Sequence, residues 1–597
     1  MTQSKSKVEY IKEESRGLRG SIAEELVDDS DHVSDASTKL LKFHGTYQQD
    51  NRDSRKDRRK QGLGKEYSFM VRNRMPGGKI TAEQFLGELD IADEFGNGTL
   101  RITTRQGIQL HGVVKGNLWN TIHRINEIKL STQSACGDVE RNVVCCPAPL
   151  RHEGIRDRLQ QYADDIADHL TPRTRAYHEI WLQDSETGEK ERVAGPPDDG
   201  DADPIYGNAY LPRKFKTGIA LCHDNCVDVY DQDAGLLAVT QGDVLLGFNV
   251  LVGGGMGTTP SDANCFPALA KRMAFIQPEH VLPVLTAIVL VQRDFGNRAN
   301  RKQARMKYLI HNWGLRKFKA KVEEYLGAAE SICGLPGGTV PRPLAEPDVA
   351  EVTRHEDHLG WHDQGDGNWF LGLPIENGRV HDQGELRLKT ALREIFESFH
   401  PSGRLTAHQN ILLCDLAPFA RPIIDQILRD HSVPLVEDIS SVRRHSFACP
   451  ALPTCGLAIT ESERVMPQVI SQFEAELNRL GLANRHFTVR MTGCPNGCAR
   501  PYNADIGLVG RTLDVKSGEG KYTIFVGGNL IGTRMNVVYK DLVPMSQIVP
   551  ELRPLLLRYR DQAQPDETLG DFCERVGVEE LLHRQAESSP VNANSEA

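Results

Sequence analysis

The feature that most constrains this chain is an internal repeat. NRMPGGKI at residues 73–80 is followed by a helix-period stretch, then by TLRITTRQGIQLHGV at 99–113, then by a second helical stretch, GNLWNTIHRINEI. The same order returns later as LPIENGRV at 373–380, LRLKTALREIFESFH, GRLTAHQNILLCDL at 403–416 and PFARPIIDQILRD. Part of the wording returns too, since Arg101 to Gln106 aligns with Arg404 to Gln409 as R-(I/L)-T-x-x-Q. A weaker echo links YLPRKFKTGIALC at 210–222 with NRHFTVRMTGC at 484–494. A recurring element order marks a duplicated unit, and it predicts a pseudo-two-fold molecule with its site between the halves. Short alternating runs interleaved with 3.6-period segments make the class α+β.

Composition bounds the rest. At roughly 100–200 residues per domain, 597 residues hold several domains. Apolar residues at 39% and charged residues at 25% describe an ordinary globular chain with material for a sizeable core. A formal charge of -10 argues against duplex nucleic acid as the partner, because phosphate contacts need a basic face. The most apolar stretch, 281–291, contains Pro283 and Thr286 and is far shorter than the ~20 residues a membrane span needs. The first residues, with Glu9, Glu13 and Glu14 and no apolar signal core, predict a cytoplasmic protein. Residues 1–66 read as an extended arm with some helix, carrying the dense charge run Arg52 to Lys60. The stretches 195–205 and 335–347, rich in Gly, Pro and acidic residues, read as surface loops or linkers.

Four cysteines carry the most specific chemistry: Cys449 and Cys455 in ACPALPTCG, Cys494 and Cys498 in TGCPNGCARP. Pro450, Pro453, Pro495, Gly456, Gly493 and Gly497 keep both segments out of regular structure, so that thiolates can converge and loop amides can point at sulfur. Four thiolates of this kind suit an iron–sulfur cluster. Structural zinc, one alternative beside unliganded thiols, prefers pairs two to four residues apart, whereas the first pair here has a longer spacer. The other nine cysteines show no comparable grouping. Cys222 and Cys226 repeat a C-x3-C spacing around His223 without the Pro and Gly framing, and read as ordinary thiols.

Cationic residues cluster in strand-like contexts: Arg72 and Arg74, Arg101 and Arg105, Arg141, then Arg213, Lys214 and Lys216, with a further group from Arg293 to Lys307 that includes Arg305. Residues two apart on a strand share a face, so Arg72 with Arg74 and Lys214 with Lys216 are expected to present paired positive charge. Such clusters call for a buried polyanion, because a buried charge without a partner is costly. GFNVLVGGGMG at 247–257 is a glycine-rich turn after an apolar strand, but it matches neither dinucleotide nor P-loop spacing. Reducing equivalents are therefore expected from another protein.

These motifs resemble the sirohaem and 4Fe-4S sulfite and nitrite reductases. C-P-A-L-P-T-C with T-G-C-P-N-G-C-A-R-P looks like that family's signature, and FHGTYQQDNRD, RNVVCCPAPL, PRTRAYHEIW, YLPRKFK, GFNVLVGGGMG and the GDF at 570–572 are similar to its assimilatory sulfite reductase haemoproteins. The resemblance implies a three-domain α+β architecture of duplicated half-repeats with mixed sheets flanked by helices. Its parts would be the arm to residue 66, ferredoxin-like half-domains at 67–134 and 366–434, an α+β domain at 135–365 binding sirohaem and sulfite, and a cluster and sirohaem domain at 435–597. It implies that Cys449, Cys455, Cys494 and Cys498 bind the cluster and that Cys498 also ligates the sirohaem iron. Arg72, Arg141, Lys214 and Lys216 would bind the sulfite oxygens, and Arg101, Arg105, His111, Arg213 and Arg305 the sirohaem carboxylates. The implied reaction is six-electron reduction of sulfite to sulfide. Nitrite reduction to ammonia and a non-enzymatic iron–sulfur electron carrier are the alternatives, and no membrane or nucleic-acid partner is implied. The donor would be ferredoxin or an NADPH-dependent flavoprotein, docked on the arm and its basic run.

Overall fold

The computed structural model describes residues 4–151, 153–174, 176–177, 180–183, 190–194, 202–577 and 580–581, so residues 195–201 of the acidic stretch lie outside the described residues. The chain forms two compact units, one of residues 1–255 with 270–436, the other of residues 256–269 with 437–597. No helix among the described residues is long and apolar enough to cross a membrane.

The first unit contains the repeat. One copy is a five-stranded sheet in the order Thr46–Asp50, Tyr67–Arg72, Ile108–Val113, Leu100–Ile102 and Arg379–Val380. The other runs Gly360–Asp363, Trp369–Leu373, Ile411–Leu416, Ser402–Leu405 and Lys79–Ile80. Each copy therefore lends its short third strand to the sheet of the other.

The repeated words explain this exchange. In PGGKI and IENGRV the chain turns through Gly77 and Asn377, at φ 59° and 53°, and then through Gly78 and Gly378, at φ 77° and 76°. Such angles favour glycine or asparagine. A Cβ on Gly78 would lie 2.3 Å from the carbonyl oxygen of Leu405, and one on Gly378 2.2 Å from that of Ile102. Leu405 and Ile102 are matched residues of R-(I/L)-T-x-x-Q, so each copy's glycine packs on the other copy's strand. The matched glutamines share a turn as well. Gln106 and Gln409 are both buried at positive φ, with their amides donating to the carbonyls of Thr103 (3.0 Å) and Thr406 (3.1 Å).

Helices Ala82–Phe95 and Leu388–Phe399 cover these sheets. Thr81 starts the first with a capping box: its hydroxyl accepts the Gln84 amide at 3.2 Å and the Gln84 side chain accepts the Thr81 amide at 3.0 Å. Phe85 and Phe396 stack at 4.3 Å inside one apolar core common to both copies.

The fainter echo is a second duplication. The first unit has a mixed sheet of Val144–Cys145, Thr217–Leu221, Ala234–Gln241, Val244–Val252 and Lys271–Ile276, whose first three strands pair in parallel and whose last two add antiparallel. The second unit repeats that pattern with Ser446–Ala448, Val489–Thr492, Ile506–Leu513, Gly520–Val526 and Val537–Pro544. In both, a 15-residue helix, Ile155–His169 or Met466–Leu480, connects the first two strands. Another, Val281–Phe295 or Ile548–Gln562, follows the last.

Residues before 67 are more than an extended arm. Thr46–Asp50 pairs with Tyr67–Arg72 as an edge strand. Lys12 is buried, donating to the Leu211 carbonyl at 2.7 Å and pairing with Glu9 at 2.7 Å. The basic run forms the short helix Arg55–Lys60, none of whose residues is buried.

Candidate functional site

The cationic residues of the first unit are gathered by strand geometry. Residues 139–141 run parallel to 213–216, with the Phe215 amide donating to Val139 O at 3.0 Å and the Arg141 amide to Phe215 O at 3.1 Å. Phe215 is buried in the core, so its neighbours Lys214 and Lys216 both face the other way, as alternation requires.

There they meet other cations. Lys214 is held well below the ordinary lysine range, by burial first and then by Lys216, Arg141, Arg213 and Arg305. Lys216 is likewise pushed down by burial and then by Arg105, Arg305 and Arg141, with Asp233 opposing. Each keeps part of its surface open.

The structure compensates some of these charges and leaves others. Arg305 forms a two-point ion pair with Asp233, at 3.1 and 2.6 Å, and donates to Gly254 O at 3.1 Å. Arg301 does the same with Asp138 at 2.8 and 3.0 Å. Arg105 donates to the Gln232 side chain at 2.8 Å, to Thr217 O at 3.2 Å and to Asn142 O. Arg141 donates to Gly137 O at 3.2 and 3.1 Å. The side chains of Arg213, Lys214 and Lys216 make no hydrogen bond or ion pair to any described residue. A polyanion fits that vacancy in charge, since several uncompensated cations at close range otherwise repel one another.

Arg72 belongs to an adjoining row. It stands opposite Gln109 and Gln109 opposite Arg101, which in turn faces Arg379 on the exchanged strand. These four share one rung across four strands, and His111, buried, lies two residues along from Gln109. Arg72 donates to Cys136 Sγ at 3.2 Å and to the Gln109 side chain. Arg72 and Arg141 both act on the Tyr47 hydroxyl, which links this row to Lys214 and Lys216. Arg74, expected beside Arg72, instead turns to Thr171 and to Asp168 at 3.5 Å. Residue 74 lies beyond the end of the strand Tyr67–Arg72, so strict alternation no longer applies.

The four cysteines of the second unit converge in loops. Cys449 and Cys494 are buried, Cys455 half-buried and Cys498 exposed. The two segments are joined by backbone bonds: Cys449 N to Met491 O at 3.2 Å, and Ile459 N and Thr460 N to Gly493 O at 2.8 and 3.0 Å. Glycine at 493 is required, because a Cβ there would lie 2.5 Å from both Ala451 Cβ and Thr460 O. Its amide donates to Cys449 Sγ, and Asn496 Nδ2 to Cys494 Sγ, each at 3.4 Å. Burial and then the Cys498 thiol push the Cys449 thiol up, with Cys494 and Cys455 adding to it, so Cys449 senses the other three. Buried thiols of that kind need a cation or a cluster to ionise, and amides aimed at sulfur fit an iron–sulfur cluster.

The glycine-rich turn has a local cause. Gly254 approaches the 230–232 backbone so closely that a Cβ would lie 2.2 Å from Tyr230 O, and a Cβ on Gly255 would strike the Arg305 guanidinium. Sequence reasoning missed Asp138 and Asp233, the counterions of this wall, and Arg379 on the exchanged strand. It also missed a buried group formed by Cys146, Asp224, Cys226 and His358. Cys226, which the sequence reads as an ordinary thiol, is one of the four.

Comparison with known proteins follows the same division. Residues 162–329 and 440–591 match the family described as "Nitrite and sulphite reductase 4Fe-4S domain". Residues 60–128 and 362–431 match "Nitrite/Sulfite reductase ferredoxin-like half domain". A sulfite reductase (ferredoxin) of Synechococcus elongatus is 44% identical over 97% of this chain and 90% of its own. A sulfite reductase (NADPH) hemoprotein beta-component of Myxococcus xanthus is 44% identical over 96% of each chain. The solved structure of the Mycobacterium tuberculosis NirA protein shares the fold, with a TM-score of 0.73 at 22% identity over 95% of each chain.

Proposed function

We infer from one premise, that this chain belongs to the nitrite and sulphite reductase 4Fe-4S family, that it reduces sulfite to sulfide using sirohaem and a 4Fe-4S cluster. The observation that carries the reading is the set Arg213, Lys214 and Lys216, cations whose side chains form no ion pair with the protein, beside Arg72 and Arg141. An electron carrier has no use for such an anion pocket. The relatives' names supply the substrate, and both ferredoxin and NADPH appear in them, so the donor is taken to be a separate redox protein.

Cys449, Cys455, Cys494 and Cys498 would hold the cluster, and Cys498, the exposed member, is the one proposed to be shared with the sirohaem iron. Arg213, Arg105, Arg101, His111 and Arg305 are proposed to face the sirohaem carboxylates, with Arg305 positioned by Asp233. When bound, the two groups supply electrons and an iron atom for sulfur. Arg72, Arg141, Lys214 and Lys216 would grip the sulfite oxygens and offset their charge as S–O bonds break. Reduction of sulfite to hydrosulfide takes up six electrons and seven protons and releases three waters. Lysines made more acidic than usual by burial and by neighbouring cations are suited to give such protons and to recover them from water.

The test is an absorption and EPR spectrum with iron and acid-labile sulfide counts, then turnover with sulfite and with nitrite compared by kcat/KM. The reading predicts sirohaem bands, a cluster signal and preference for sulfite. A chain with iron and sulfide but no sirohaem bands would return it to the electron carriers, and preference for nitrite would make it a nitrite reductase.

A further inference from the structure

We propose that Cys146, Asp224, Cys226 and His358 form a structural zinc site in the first unit, separate from the four cysteines of the second. The four come from three places that the sequence keeps far apart. Cys146 follows the strand Val144–Cys145, Asp224 and Cys226 lie in the turn after its parallel neighbour Thr217–Leu221, and His358 precedes the strand Gly360–Asp363. Backbone bonds hold the segments together: Asp224 N donates to Leu221 O and Leu221 N to Asp224 O, each at 3.2 Å, Asn225 N donates to Arg354 O at 3.0 Å, and Thr353 N to Cys222 O at 2.7 Å.

All four residues are buried, and one candidate ligand atom from each lies within 4.8 Å of the others. Cys146 Sγ stands 2.9 Å from Asp224 Oδ2 and 3.6 Å from His358 Nε2, and the latter two atoms are 2.9 Å apart. Zinc bonds of ~2.0–2.3 Å at tetrahedral angles give ligand-to-ligand edges of roughly 3.4–3.8 Å. The Cys146–His358 edge has that length, the two edges to Asp224 Oδ2 are drawn in by a few tenths of an ångström, and Cys226 lies within 4.8 Å of the other three.

The surroundings orient the ligands. Asp224 Oδ1 accepts the amides of Cys226 at 3.2 Å and Glu356 at 3.4 Å, which leaves Oδ2 for the centre. Arg156 Nη1 donates to Cys146 Sγ at 2.7 Å and to Asp224 Oδ2 at 2.8 Å, while its Nε donates to Glu153 at 2.8 Å. Such second contacts fix metal ligands. His358 sits at φ 56°, a left-handed conformation that a non-glycine residue keeps only where the fold holds it.

Charge completes the argument. Two thiolates, one carboxylate and a neutral imidazole around a divalent ion leave one net negative charge, and the Arg156 guanidinium cancels it. The thiolates select zinc over magnesium or calcium, and four protein ligands leave no open position, so the role is to tie three segments together.

The test is the metal content of the holoenzyme, purified without chelators. One zinc per chain is expected beyond the iron, lost in Cys226→Ser and in His358→Ala while iron content and the visible spectrum persist. The unmodified holoenzyme gives a reading that does not depend on variants folding: anomalous scattering at the zinc edge should place the ion among these four residues. A chain without zinc, zinc retained by both variants, or a Cys146–Cys226 disulfide found by mass spectrometry without reduction would overturn the proposal. Iron and visible absorption are read separately, so failure here is distinct from failure of the sulfite reductase reading.

Discussion

Replacing Lys216 with methionine should raise stability and destroy activity together. Burial and the neighbouring Arg105, Arg305 and Arg141 disfavour the charged form of Lys216 in the fold, whereas the unfolded chain holds it at the ordinary lysine value of 10.5. Between the lowered folded value and 10.5 the unfolded state binds more protons, so this residue's contribution to stability grows as pH rises toward 10.5. At neutral pH it is a cost. Methionine has a similar length and no charge, and exchanging a buried ion for an apolar residue of similar volume gains ~1–4 kcal/mol. Lys216 keeps some contact with water, which places the gain near the lower end, about 1–2 kcal/mol. Turnover should move the other way, because one lost donor to a developing oxyanion costs ~100–1,000-fold in kcat. Urea unfolding at neutral and alkaline pH, the visible spectrum and sulfide release with a small artificial reductant measure all three effects. A less stable variant, or wild-type sulfide release with full cofactor content, would refute the placement of Lys216 in an anion pocket.

Burial pushes the Glu88 carboxyl up to about 8, with the Asn73 amide donating to it. Its favourable contribution is complete below the unfolded value of 4.5 and is lost as pH rises through about 8. Glu88→Gln, which keeps the acceptor, should therefore gain on the wild type between these values, and a thermal-midpoint difference that stays flat with pH would count against it. Gly78→Ala and Gly378→Ala should each cost about 2–5 kcal/mol, from a left-handed backbone and a carbonyl contact, with similar losses in urea; neutrality of either would contradict the strand exchange. Arg58→Glu with Arg59→Glu should raise KM for the protein donor and leave the rate with a small reductant unchanged; equal loss would remove the basic run from donor docking. Deleting residues 1–60 is a poor substitute, because it also removes the edge strand Thr46–Asp50 and the buried Lys12.

Legibility followed how local the determinant is. The repeat could be read because its turns need particular residues: PGG and ENG carry the positive φ, and R-(I/L)-T-x-x-Q carries the buried glutamine turn. The exchange of Lys79–Ile80 and Arg379–Val380 could not, since it depends on Gly78 and Gly378 meeting carbonyls of the opposite copy. The cysteine loops were legible from their Pro and Gly framing. The grouping of Cys146 with Cys226 was not legible because its members are not sequence neighbours: Asp224 lies 78 residues beyond Cys146, and His358 134 beyond Asp224. No spacing rule spans such distances.

The cations divide by what neutralises them, and that division assigns their work. Asp138 and Asp233 hold Arg301 and Arg305 in two-point pairs. A guanidinium fixed on two oxygens is rigid and its charge is already matched, so Arg305 can shape a wall and offer its remaining Nη1 without strengthening the field greatly. Arg213, Lys214 and Lys216 have no such match, and the strand that presents them gains nothing from their repulsion. Keeping three unmatched charges beside matched ones is a stable arrangement only if an anion is supplied from outside the chain. The same logic orders the expected defects. Loss of Asp233 should loosen Arg305 and lower cofactor content, whereas loss of Lys214 or Lys216 should leave the wall standing and remove the means of holding and protonating the substrate.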